Sequence, residues 1–193
     1  MIPVLAEVFR QHGYEGTSMA VLQEASGLGK GSLYNFFPGG KDEMAAAVLE
    51  DIDAWFLREV FEPLETAGDA GRVPALESIT TMLDTVERYF QSGRRVCLPG
   101  AFALAHERDR FAGRVQGYFI AWRVELTRTL DVAGVDAAPE TALRILAAIQ
   151  GAIVLVRALD DPAVFRTVLD GARHLIASTQ RTSPQKPRQT EST

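Results

Sequence analysis

Between Thr17 and Lys41 the chain reads TSMAVLQEASGLGKGSLYNFFPGGK, and its residue types suit contact with a polyanion. Gly29, Lys30, Gly31 and Ser32 open a short helical segment that runs to Phe36. Small residues at such a start let a phosphate approach the backbone, and the free amides and helix dipole there favour negative charge. A short amphipathic helix with Met19, Leu22 and Ala25 on its apolar face precedes this segment, and Gly27 makes the tight turn between them. Leu28 and Leu33 would pin the second helix to the first, which is the physical content of a helix-turn-helix. Many all-α proteins that touch no DNA carry the same pattern. The residues alone therefore leave both a DNA-reading unit and a plain packing unit open.

Other chemistries find less support. His12, His106 and His174 show no i,i+4 pairing, and the stretch that opens at His106-Glu107 has Arg110 where a zinc-protease helix needs its second histidine. No metal site and no cofactor are expected. Gly27 to Ser32 lacks the preceding strand and first-glycine spacing of a phosphate loop, and no Gly-x-Ser-x-Gly elbow is present. Cys97 follows Arg94 and Arg95, cations that would lower its pKa if it were accessible; the alternative is a buried small hydrophobe. The expectation is that the protein is not an enzyme.

Helices must position these residues, because no stretch alternates with period two. Val4, Leu5, Val8 and Phe9 mark a first helix that stops at Gly13, and Thr17 or Ser18 can cap the second. After Pro38-Gly39-Gly40, Asp42 and Glu43 open a long helix whose apolar stripe passes Pro63 and ends near Gly68. Pro74 introduces a helix to Gly93; a shorter piece covers 99–107; and further helices follow from Phe111 to Leu130, over 138–159 and over 162–178. The fold expected is all-α with about nine helices. Residues 1–41 form a three-helix amino-terminal unit, 42–180 a larger helical domain, and the polar, proline-bearing 181–193 a flexible tail.

With 193 residues, 47% hydrophobic and 23% charged, the chain has the composition of a globular protein with a sizeable core. A single cysteine suits a reducing cytosol, so a cytoplasmic location is expected. The longest uncharged apolar run, 145–156, is short of the roughly 20 residues of a membrane span, and no membrane partner is expected. The net charge of −5 arises from 17 Arg and 3 Lys against 25 acidic residues, and residues 1–41 balance to zero. Few cations are thus available there for phosphate contact.

Gly13-Tyr14-Glu15-Gly16-Thr17-Ser18, the run Val21 to Leu28, Gly31-Ser32-Leu33-Tyr34-Asn35-Phe36-Phe37 and Lys41-Asp42-Glu43 together strongly resemble the tetracycline-repressor (TetR) family. The turn Pro38-Gly39-Gly40-Lys41 is similar to the LmrA/YxaF-like branch of it. The resemblance covers about the first 45 residues. It implies a dimeric one-component transcription regulator, usually a repressor, that leaves a pseudo-palindromic operator when a small effector binds. Carried over by position, the helix from Gly29 to Phe36 would enter the major groove. Lys30, Ser32 and Asn35 would reach base edges or nearby phosphates, and Thr17, Tyr34 and Lys41 would contact phosphates, with Ser18, Gly29 and Gly31 beside them. The family carries a basic stretch and a full first helix ahead of Ala6, so a shortened first helix is expected here. A protein of the other class, an all-α small-molecule binder with little DNA affinity, is the alternative.

The larger domain would hold the effector and the dimer contact. Phe90, Phe102, His106, Tyr118, Phe119, Trp122 and Gln150 are the candidates for lining an apolar, aromatic-rich pocket, Gln150 because it interrupts an apolar helix. That helix is apolar almost all round and needs covering on more than one side. Ile145, Ile149 and Ile153, with Val168 and Leu175 on the next helix, are the expected dimer face of a four-helix bundle.

Overall fold

The computed structural model of the protein describes residues 1–105 and 109–179. The helices are α1 (Ile2–Gly16), α2 (Met19–Ser26), α3 (Lys30–Phe36), α4 (Gly40–Phe56), α5 (Glu62–Ala70), α6 (Arg72–Tyr89), α7 (Leu98–Leu104), α8 (Ala112–Val132), α9 (Ala138–Leu159) and α10 (Ala163–Ser178). A π turn, Leu57–Phe61, joins α4 to α5 into one rod, so the described residues form nine helices when the rod is counted once, and no β-strand. His106 and the tail at 181–193 lie outside the described residues.

Local sequence explains the joints. Gly13, at φ 65, breaks the α1 spiral where the periodicity predicts its end, and the chain regains one turn before Thr17. Ser18, not Thr17, supplies the cap of α2: its hydroxyl accepts from the Val21 N–H at 3.3 Å. Gly27 closes α2 in the left-handed region. The π turn has a cause in Pro63, which lacks the N–H that an uninterrupted α-helix would offer to the carbonyl four residues earlier. Glu62 N–H reaches back five residues to the Leu57 carbonyl instead, and the rod continues past the proline.

One continuous core runs from Leu5 and Phe9 of α1 to Ile176 of α10. α1 packs on α4, α5 on α6 and α8, and α9 between α8 and α10. α9 is long and apolar enough, by length and composition, to cross a membrane; here its inner face is buried against those two neighbours.

That burial corrects the expected dimer face. Ile145, Ile149 and Ile153 are 1%, 0% and 4% exposed within a single protomer, so they hold α9 onto its own chain. Val168 and Leu175 of α10 are half-buried. The apolar residues α9 leaves outside include Leu143, Ala147, Val154, Leu155 and Leu159. An all-round apolar helix shows that several sides are covered, and its pattern does not show which side meets which neighbour.

Candidate nucleic-acid interface

α3 is a seven-residue helix with one buried residue of its own. Leu33 is fully buried, while Lys30, Gly31, Ser32, Tyr34, Asn35 and Phe36 all face solvent. Leu28 in the turn is half-buried against the core, and Phe37 closes the far end at 8% exposure. A helix pinned at its two ends and one central leucine leaves its remaining side chains free to meet a partner. Within that face the Lys30 ammonium lies 5.9 Å from the centre of the Tyr34 ring. The ring in turn rests on Gly40, where an added Cβ would come within 3.4 Å of it and where φ is +66. The left-handed backbone at Gly40 is what favours glycine there, since a Cβ would make only ordinary contact with the ring.

Two expected contacts take other partners. Thr17 is fully buried, and its hydroxyl donates to the Gly13 carbonyl at 2.6 Å; its side chain ties the end of α1 to the start of α2 and reaches no surface. A phosphate hydrogen bond from that hydroxyl is therefore corrected to a structural one. Lys41 is half-buried, donates to the Tyr14 carbonyl at 3.0 Å and lies 4.1 Å from the centre of the Tyr14 ring. Its ammonium is already engaged with α1.

Tyr14, quoted only as part of a motif, is a junction. Its hydroxyl donates to the Asp42 carboxylate, and Arg110, just ahead of α8, pairs with Asp42 and reaches the Tyr14 oxygen at 3.1 Å. Burial first, then the hydrogen bond and charge of Asp42, push the Tyr14 pKa up from 10.0 to about 12. The Tyr14 hydrogen bond, ahead of the Arg110 contact, holds Asp42 below its ordinary value. The Tyr14 ring packs edge-on to Phe102 and Phe111, at 6.2 and 5.4 Å. The amino-terminal unit is thereby joined to α7 and to the start of α8.

In the larger domain, Phe90, Phe102, Tyr118 and Trp122 are 0–3% exposed. Phe90, Tyr118 and Trp122 pack around Phe56 at 6.3, 4.9 and 5.3 Å between ring centres, whereas Phe102 packs on Phe9, Tyr14 and Phe111. Phe119 and Gln150 do line an opening, a groove of about 510 Å³ between α8 and α9 floored by Leu146 and Ala147. Trp122 Nε1 is buried without a hydrogen-bond partner, and the Tyr118 hydroxyl and Gln150 amide turn inward to the Cys97 thiol. Burial pushes the Cys97 thiol up, and Arg95 turns away from it onto the Tyr89 ring at 5.3 Å. The buried-hydrophobe reading of Cys97 fits this geometry. The described residues contain no cluster of three or more His, Cys, Asp or Glu able to hold a metal.

Comparison with known proteins follows the same division. Residues 4–48 match the family described as bacterial regulatory proteins, tetR family, and residues 75–170 match the LmrA/YxaF-like transcriptional regulator C-terminal domain. The HTH-type transcriptional regulator LmrA of Bacillus subtilis (strain 168) is 29% identical over 69 residues, 36% of this chain and 37% of that protein. The uncharacterized HTH-type transcriptional regulator YxaF of the same organism is 45% identical over 40 residues, 21% of each. The chain thus aligns with well under two thirds of either curated relative. A solved TetR transcriptional regulator from Chloroflexus aurantiacus J-10-FL superposes with a TM-score of 0.73 at 25% identity, covering 94% of this chain and 95% of that one.

Proposed function

The chain belongs to the TetR family of bacterial regulatory proteins, with a carboxy-terminal part of the LmrA/YxaF-like kind, and from that premise we propose that it is a one-component transcription regulator acting as a repressor. It reads a pseudo-palindromic operator through α3 and releases it when a small, mostly apolar effector binds. The observation that carries the reading is α3 itself, which buries Leu33 and presents Lys30, Ser32, Tyr34 and Asn35 to solvent. Asn35 and Lys30 suit base edges, and the Tyr34 hydroxyl suits a phosphate. Lys41 reaches a phosphate by exchanging its Tyr14 carbonyl for it. Its work on DNA places the protein in the cytoplasm.

Two copies bind together. The outer stripe Leu143, Ala147 and Val154 of α9, with Val164, Val168 and Leu175 of α10, gives a self-complementary face for a four-helix bundle. Such a dimer sets two α3 helices on successive turns of DNA, about 34–36 Å apart. The α8–α9 groove receives the effector, because it combines an apolar floor with the exposed polar side chains of Gln116 and Arg123. An effector that prefers the DNA-incompetent arrangement shifts the population by its differential affinity alone.

Footprinting of the full chain on DNA flanking its own gene tests the reading. Protection of two half-sites about ten base pairs apart is the expected result. No protection of any duplex would favour the alternative, an all-α small-molecule binder with little DNA affinity.

A further inference from the structure

Arg10 is a buried cation short of partners. Its side chain is 9% exposed; Nη1 lies 3.5 Å from a half-exposed Glu7 carboxylate, and Nη2 donates to the Tyr89 hydroxyl at 3.4 Å. Nε is buried with no hydrogen-bond partner. A guanidinium carries five donors and keeps its charge at any ordinary pH, so burying one with two long contacts leaves a place for an anion.

The surroundings fit an anion of a particular kind. Arg10 lines a cleft of about 400 Å³ between α1, α4 and the end of α6. Trp55 and Tyr89 form its aromatic wall, with ring centres 4.3 Å apart. Arg95 lies over the Tyr89 ring and donates to the Tyr89 carbonyl at 3.1 Å, and Arg88, on the same cleft, bonds the Thr85 hydroxyl at 2.9 Å. Glu7 and Asp51 are the cleft's carboxylates, so its three guanidiniums leave a surplus of one positive charge. Burial keeps the Tyr89 phenol protonated, and its O–H is a further donor.

We propose that this cleft binds a small planar aromatic carboxylate, its charge held by Arg10 and Arg95 and its ring by the Trp55–Tyr89 wall. The single surplus charge matches a monocarboxylate better than a phosphate, and the wall offers a flat ring the stacking that an inorganic anion does not use. This site is separate from the α8–α9 groove and from the α3 face, and its occupancy is independent of whether the protein reads DNA. Because α1 supplies Arg10 and α6 supplies Arg88 and Tyr89, a bound anion would tie the amino-terminal unit to the larger domain.

Titration of the full chain with naphthoate, naphthamide and inorganic phosphate, followed by calorimetry and by tryptophan emission, tests the proposal. Saturable binding of naphthoate is expected, with quenching that disappears in Trp55→Phe while the heat of binding remains. Arg10→Gln should weaken naphthoate roughly tenfold or more. Arg88→Gln combined with Arg95→Gln, two changes away from the deep core, should weaken it similarly should Arg10→Gln not fold. The proposal is overturned if naphthamide or phosphate binds as tightly as naphthoate, if no saturation is seen, or if Arg123→Gln in the α8–α9 groove removes the binding that Arg95→Gln retains.

Discussion

Tyr14 brings together residues that the sequence keeps far apart. It contacts Asp42 and Arg110, 28 and 96 positions away, and its carbonyl takes the Lys41 ammonium. The protonation of the pair has consequences for stability. The folded Tyr14 pKa is raised from 10.0 to about 12, so its contribution is fully present below pH 10 and is lost as pH climbs towards 12. Asp42 has a lowered folded value, so its contribution is present above the ordinary 3.8 and is lost as pH falls through that lowered value. Melting temperature followed against pH should therefore fall at both extremes. Tyr14→Phe should soften the alkaline limb and Asp42→Asn the acid one; an alkaline limb untouched by Tyr14→Phe would contradict the junction. The motif around Tyr14 and Asp42 was legible in the sequence, but nothing local announces Arg110, because its approach is a product of the tertiary fold. For the same reason the motif gave Thr17 and Lys41 as DNA contacts without revealing that both are engaged with the end of α1.

Helix boundaries were the most legible feature, since each helix buries a stripe at helical spacing and its breakers are glycines and prolines. The rod from α4 through α5 shows how far this goes: the apolar stripe predicted a helix running past Pro63, and only the wider turn that accommodates the proline was invisible. α9 shows the limit. Its sequence is apolar on nearly every side, so the choice of Ile149 as an outward residue could not be made from spacing alone. The two faces of α9 give a paired prediction. Ile149→Ala, at a fully buried site, should cost about 2–5 kcal/mol of stability while leaving the oligomeric state unchanged. Ala147→Glu with Val154→Glu, both on the exposed stripe, should leave the protomer folded and give monomers in sedimentation. A double variant that sediments like wild type would put the interface elsewhere.

Across the whole molecule, charge sets the character of DNA binding. The chain is net −5, and residues 1–41 hold three cations against three carboxylates. Of those cations, Arg10 is buried beside Tyr89, Lys41 is shared with Tyr14, and Lys30 stands exposed on α3. A dimer using one or two cations per subunit should show a slope of log K against log salt of only about −2 to −4. A slope near −8 or steeper would mean that a basic surface other than α3 dominates. On the proposed reading, the same scarcity places most of the specificity on Asn35 and Ser32 rather than on charge.

The claim that α3 is the reading surface is tested most directly by fluorescence anisotropy of the full chain on a duplex from the DNA flanking its own gene, with wild type beside a Lys30→Ala, Tyr34→Phe, Asn35→Ala variant. All three residues are exposed, so the variant should keep the wild-type melting temperature. If α3 reads DNA, the variant should bind that duplex roughly a hundredfold more weakly and lose its preference over random sequence. Equal affinity of the two proteins for the duplex, with folding intact, would contradict it.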